Sequence, residues 1–318
     1  MLLKILNKFI IKLNLIKMIK ILFKIFVRPN VSNMNDYKRS RRLHKLLSIY
    51  YLIIYFFSKL KIKRIKINQV ECIKIFNNKK NLTNNIILYF HGGAFSAGSP
   101  FAYLNISYNL SLYTKLTCFS VNYSLAPENK FPKALNEIID VYKSLKKKYQ
   151  KSNIIIGGDS SGGSLALSAI LKLKKLDIEL PKVLFLICPG TDLSFSCSSI
   201  KTNYYKDYFQ SPKEYCPEIY GKLIRKNYLN IGDDINNPLI SPIKGDLSNM
   251  PPTIIHACDT ELLYQDSVDL HKKIISHNKV AEIEIWKDLP HVWHMFNFFP
   301  QSKKALISIS KFIINNIN

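Results

Sequence analysis

The residues with the clearest chemical meaning are Gly158-Asp159-Ser160-Ser161-Gly162-Gly163, a G-x-S-x-G pattern between the apolar run Asn153–Ile156 and a helical run, Ser161–Lys175. A serine on a sharp strand-to-helix turn projects its hydroxyl above the sheet. The turn is so tight that the positions two before and two after it must lack a Cβ, which Gly158 and Gly162 satisfy. The helix that starts here aims its positive end, and the N–H of Ser161, at the place where negative charge would develop. No Gly-Lys-Ser/Thr follows, so the turn does not read as a nucleotide phosphate loop. The chemistry implied is nucleophilic attack on a carbonyl.

Such a serine needs oxyanion donors, a base and an acid that orients the base. His91-Gly92-Gly93-Ala94-Phe95 follows the apolar run Ile86–Phe90 and lies 69 residues before Ser160, counted from His91. Its small residues leave backbone N–H groups open to a substrate oxygen. The chain has seven histidines. His91 belongs to the oxyanion loop, His256 reads as core, and His271 and His277 lie on a helix. His291 follows the strand-like run Ala281–Trp286 and a turn, so it is the expected base, with His294 its rival. The acid should leave the preceding strand-like run, Thr253–Ala257, where Asp259, Glu261 and Asp266 stand. Position alone does not separate Asp259 from Glu261.

Short β-rich runs alternate with helical ones from residue 62 onward. Ile62–Ile67 and Val70–Phe76 read as a hairpin; further strands are expected at 86–90, 117–122, 153–156, 183–188, 253–257 and 281–286. Between them lie helical patterns at 101–116, 131–149, 161–175, 264–277 and 302–314. Continuous apolar strands alternating with helices predict an α/β domain with a mostly parallel sheet covered on both faces. Residues 198–235 break this rhythm with Tyr-rich, strand-poor sequence and read as an insertion able to cover a site.

Apolar residues make up 47% of the 318, enough for a large core, so global disorder is excluded. The charge is unusual: 46 Lys and Arg against 22 Asp and Glu give +24. Residues 1–66 hold +16 of it, with Asp36 their one acid. No nucleic-acid recognition motif accompanies the charge, so no nucleic-acid partner is expected. In residues 1–27 lysines recur at 4, 8, 12, 17, 20 and 24, which leaves no apolar run long enough for a secretory signal or a spanning helix. This segment reads as a lid element, with weak peripheral contact to anionic membranes as a second role. After a polar break at 28–42, Leu46–Phe57 reads as a helix buried against the body. None of the six cysteines lies in a C-x-x-C pair, which fits buried thiols in a cytoplasmic protein.

Taken together, the motifs resemble the hormone-sensitive-lipase-like esterases of the α/β-hydrolase fold, a group with arylacetamide deacetylases, bacterial acetyl esterases and monoterpene lactone hydrolases. The resemblance also rests on Asn122-Tyr123-Ser124-Leu125-Ala126-Pro127-Glu128 with Phe131-Pro132, on Cys188-Pro189-Gly190-Thr191-Asp192, and on Pro290-His291-Val292-Trp293-His294. It implies the α/β-hydrolase fold, a helical lid from residues 1–57 and from 198–235, and a catalytic domain over 58–318. It further implies hydrolysis of small or medium carboxylic esters without metal or organic cofactor. In such esterases the acid opens a segment about thirty residues before the histidine. That implies the triad Ser160, His291 and Glu261, with Asp259 as the alternative acid. Gly92, Gly93, Ala94 and Ser161 form the expected oxyanion hole, Gly92 by shaping the loop. Three positions depart from the family pattern: Ala94 for a third Gly, Ser124 for Arg and Gly190 for Trp. A ligand receptor on the same fold and an amide- or peptide-cleaving hydrolase are the alternative readings.

Overall fold

The computed structural model describes residues 37–77, 85–212, 214–277 and 279–317, together with Met18 and Ile21. Apart from those two residues, the expected lid segment 1–27 lies outside the described residues.

Eight strands form one sheet: β1 (Lys61–Ile67), β2 (Val70–Phe76), β3 (Ile86–Phe90), β4 (Thr117–Val121), β5 (Ile154–Asp159), β6 (Val183–Ile187), β7 (Thr253–Cys258) and β8 (Ala281–Trp286). Their order is β1-β2-β4-β3-β5-β6-β7-β8. The hairpin β1–β2 and the β2–β4 pairing are antiparallel; β4, β3, β5, β6, β7 and β8 run parallel. Seven longer helices accompany them among the described residues: α1 (Tyr37–Ile54), α2 (Leu104–Thr114), α3 (Lys133–Lys148), α4 (Ser161–Lys175), α5 (Pro217–Tyr228), α6 (Tyr264–Ile275) and α7 (Pro300–Asn316).

The period of two along each central strand divides the core. In β3, Ile86, Leu88 and Phe90 face one layer, while Ile87 and Tyr89 face the other. The first layer is completed by apolar residues of α3, α4 and α6, such as Ile138, Ile170 and Leu270. The second is completed by α2 and α7, with Ile106 and Ile309. Strands β3 to β6 are buried on both faces. They can therefore be uninterrupted apolar runs, and the residues at their C-terminal ends converge on one edge of the sheet.

One helix, α1, differs from expectation. The polar stretch 28–42 does not end before a helix at Leu46; α1 begins at Tyr37. Its inner face is made of residues spaced three or four apart that reach the body. Arg41 Nε donates to the Ser96 carbonyl at 2.8 Å and Arg41 Nη2 to that of Ala126 at 2.9 Å, with a fork onto Glu128. Ser48 meets Ser99, and Tyr55 donates to Asn105. Tyr51, fully buried, donates its hydroxyl to the Met295 carbonyl. Polar anchoring, not burial of the whole apolar stretch, thus holds α1, and its outer side chains remain exposed. Within the insertion, α5 has Pro217 at its first turn, Glu218 beside it and Arg225 and Lys226 at its end, the arrangement that suits a helix dipole. Tyr228 at the end of α5 stacks on Phe95, with ring centroids 3.8 Å apart.

No helix among the described residues is long and apolar enough to cross a membrane.

Replacing Tyr51 by Phe keeps the packing but leaves the buried Met295 carbonyl without its donor. That loss costs about 1–3 kcal/mol for a buried acceptor. Urea unfolding of Tyr51→Phe should show a lower midpoint with an unchanged slope; an unchanged midpoint would mean that Tyr51 does not anchor α1.

Candidate active site

Ser160 lies between the last residue of β5 and the first of α4, with φ 51° and ψ −121°. An L-residue is strained there, and such strain persists only where the surroundings over-determine it. The constraint is the close approach of α4 to β3. A Cβ on Gly162 would lie 2.1 Å from the Phe90 carbonyl oxygen, and one on Gly158 would lie 2.4 Å from that of Gly162. Ser160 N–H donates to the Ile187 carbonyl at 2.8 Å, which pins the turn to β6.

The loop after β3 is fastened at three points. Gly92 N–H donates to Asp159 Oδ1 at 2.9 Å, and Phe95 N–H donates to Ser161 Oγ at 3.2 Å. The Ser96 carbonyl takes the Arg41 hydrogen bond described above. Gly93 has φ +118°, and a Cβ there would be 2.2 Å from the Ala97 carbonyl oxygen. Gly93, Ala94, Ser160 and Ser161 all line one cavity, which Gly92 does not reach. The Gly92 N–H is committed to Asp159, so Gly92 shapes the loop, while the N–H groups of Gly93 and Ala94 have no partner among the described residues. Ser161 is the first residue of α4, so its N–H has no carbonyl one turn back.

Burial pushes the Asp159 carboxyl up to about 7, against the lowering effect of the Tyr89 hydroxyl and the Gly92 N–H. The Tyr89 hydroxyl and the Gly92 N–H share its Oδ1. Burial likewise pushes His91 down to about 3; its ring is neutral and packed between Tyr103 and Tyr123.

His291 lies beyond β8, followed by Val292 in the left-handed region at φ 53°. Its Nδ1 meets Glu261 Oε2 at 2.6 Å, and both residues are buried. Its Nε2 is buried without a hydrogen-bond partner among the described residues, and the side chain lines the same cavity as Ser160. Glu261 is fixed in turn: its Oε1 accepts the Cys258 N–H at 2.9 Å. The rival acids are occupied elsewhere. Asp259 Oδ1 caps the turn after β8 by accepting the Asp288 N–H at 2.9 Å. Asp266 accepts the Thr191 N–H at 2.7 Å and the Asp192 N–H at 3.2 Å. The rival base, His294, is fully buried; its Nε2 is 3.0 Å from His256 Nδ1, away from the cavity. Burial drives both of these rings below the ordinary histidine range.

Two residues of the insertion that the sequence did not single out support the acid. Asn203 Nδ2 donates to the carbonyls of Asp259, at 2.9 Å, and Glu261, at 3.0 Å. Buried Asp207 accepts the Leu262 N–H at 3.0 Å while its other oxygen caps Phe209 and Gln210. Their partners in the acid loop are backbone groups more than fifty residues away, which no local pattern reveals.

Cys188, Glu261 and His291 form the one group among the described residues whose types and spacing, all within 4.8 Å, could hold a metal ion. The arrangement fits a metal poorly. Burial and the neighbouring carboxylate raise the Cys188 thiol well above its ordinary value, so it is not a thiolate, and Glu261 already engages His291.

The cavity has a volume of about 620 Å³. Leu43, Leu46 and Tyr50 of α1 line one side of it, and Leu223 and Ile224 of α5 another. Gly190 also lines it; a Cβ there would find only Leu263 at 3.4 Å and Ser164 at 3.7 Å, so the glycine leaves open space.

The α/β-hydrolase-fold family matches residues 87–295. An esterase of Acinetobacter venetianus is 33% identical over 231 residues, covering 71% of this chain and 74% of its own. An acetyl-hydrolase of Streptomyces hygroscopicus is 27% identical over 222 residues, covering 69% of this chain and 72% of its own. Among solved structures, a hormone-sensitive lipase from a metagenome library superimposes with a TM-score of 0.83 at 28% identity, covering 96% of this chain and 98% of its own.

If Asn203 holds the acid loop, Asn203→Ala should lower kcat about tenfold or more, because small displacements of catalytic groups are costly, with KM within about twofold. Steady-state kinetics on a soluble nitrophenyl ester provide the check. An unchanged kcat would show that the clamp does not set the position of Glu261.

Proposed function

The chain belongs to the α/β-hydrolase-fold family, among its hormone-sensitive-lipase-like carboxylic ester hydrolases, and we propose that it cleaves esters of small and medium acyl chains through Ser160, His291 and Glu261. The observation that carries this reading is the Glu261–His291 pair at 2.6 Å, with Nε2 of the imidazole unpaired among the described residues and the side chain lining the same cavity as Ser160.

The steps follow from that geometry. Ser160 Oγ attacks the ester carbonyl carbon as its proton passes to His291 Nε2. Charge builds on the carbonyl oxygen, and the N–H groups of Gly93, Ala94 and Ser161 donate hydrogen bonds to it. Glu261 holds the imidazole with Nδ1–H toward the carboxylate and stabilises the imidazolium. The tetrahedral intermediate collapses, the C–O bond to the alcohol breaks, and His291 returns its proton to the departing oxygen. Water, deprotonated by the same nitrogen, then attacks the acyl-Ser160 ester and releases the acid and the free serine. The family resemblance of Gly190 to a tryptophan position supports an enlarged pocket, and a cavity of this volume lies in the range of small-ligand sites.

Ser160→Ala should abolish ester turnover while the protein keeps its fold. Glu261→Gln should reduce kcat by about 10⁴, the scale measured when a triad acid is neutralised, while Asp259→Asn should reduce it far less. The reverse ranking would transfer the acid's role to Asp259. Across nitrophenyl esters, kcat/KM should rise with each added methylene, by about 0.8 kcal/mol at most, until the cavity is filled. A profile that falls from acetate onward would contradict a medium-chain pocket.

A further inference from the structure

The inner face of α1 is used in full, by Arg41, Ser48, Tyr51 and Tyr55, but its outer face has a different composition. Lys38, Arg42 and Lys45 occupy the first half of that face. Leu46, Ile49 and Ile53 continue it at helical spacing, and Phe56 and Phe57 follow in the turn. The apolar members are open to solvent: Leu46 is 64% exposed, Ile53 70%, Phe56 77% and Phe57 93%. Contiguous exposure of this kind marks an interaction surface; isolated exposed apolar residues do not. The patch is also continuous with the cavity, since Leu43, Leu46 and Tyr50 line the cavity and are themselves exposed. The opening next to the catalytic residues therefore lies beside the apolar surface.

We propose that the outer face of α1, with Phe56 and Phe57, docks on an anionic membrane surface and sets the mouth of the cavity against it. Charge complementarity selects this occupant. The first 66 residues carry +16, and the apolar patch is bordered by the exposed basic residues Lys38, Arg42 and Lys45 of α1 and followed by the exposed Lys59. A second copy of the chain would bring the same positive charge to the interface and be repelled. Lipid of negative headgroup charge meets both requirements, with the Ile and Phe side chains entering the acyl boundary and the lysines remaining at headgroup level. Esters dissolved in the membrane would then reach the cavity without crossing water. The docking itself does not depend on the hydrolytic reading.

The test compares the full chain with an Ile49→Ser, Ile53→Ser, Phe56→Ser, Phe57→Ser variant, none of whose positions lines the cavity. Flotation with phosphatidylcholine vesicles, with and without phosphatidylserine, measures binding. The unaltered chain should favour the phosphatidylserine vesicles and be partly released by salt. The variant should bind them roughly tenfold or more weakly, since its apolar anchor is gone. Its kcat/KM on a soluble acetate ester should stay within about twofold, which separates loss of docking from loss of the catalytic site. Equal vesicle binding by the two proteins would overturn the proposal. So would light scattering that shows a dimer which the substitutions split, because the face would then join two copies. So would a lowered melting temperature with unchanged vesicle binding, because the face would then be covered from within the chain.

Discussion

The contact between the end of β3 and the start of α4 governs the geometry of the whole site. Phe90 and Gly162 approach so closely that no side chain fits between them. This proximity does two things. It forces Ser160 into a left-handed backbone that lifts its hydroxyl above the sheet. It also brings the loop after β3 beside the N-terminus of α4, so Gly93, Ala94 and Ser161, the proposed oxyanion donors, line the same cavity. The strain at Ser160 is held by backbone contacts to β6, and no local sequence preference could maintain it alone.

Around that contact, buried polar groups act as fasteners between chain segments distant in sequence. Asp159 ties the nucleophile turn to Gly92 and Tyr89. Asn203 and Asp207 tie the insertion to the acid loop. Arg41 and Tyr51 tie α1 to the oxyanion loop and to the segment that follows His291. Each satisfies backbone groups that would otherwise be buried unpaired, so loss of one member costs more than a surface contact would. Many of these partners belong to the loops that carry the proposed catalytic residues, so α1 and the insertion contribute to the candidate site even though they supply none of the proposed triad. Such division of labour, with reactive groups on strand ends and their support on peripheral elements, is what a rigid sheet with variable coverings allows.

Much of this was legible in the sequence for physical reasons. The sheet was legible because β3 to β6 are buried on both faces and so appear as unbroken apolar runs. The nucleophile turn was legible because its glycines are required by contact. Position alone did not separate Asp259 from Glu261, since both leave the same strand two residues apart; only the family resemblance favoured Glu261. Side-chain partners separate them: the Cys258 N–H and His291 engage the Glu261 carboxylate, while the Asp288 N–H engages that of Asp259. The start of α1 was obscured because arginines at 39, 41 and 42 read as a polar break. Only their three-dimensional role shows Arg41 to be an anchor. The α5 helix was masked by the surrounding tyrosines, although Pro217 and the basic residues at its end were available as signals.

The central claim is that Ser160 alone, activated by His291, is the group that attacks the carbonyl. Covalent labelling with a fluorophosphonate, followed by peptide mapping by mass spectrometry, tests it most directly. The account predicts one adduct, on the peptide containing Ser160, that disappears in Ser160→Ala and forms far more slowly in His291→Ala. An adduct on another residue, or no adduct in a protein that still cleaves esters, would contradict it.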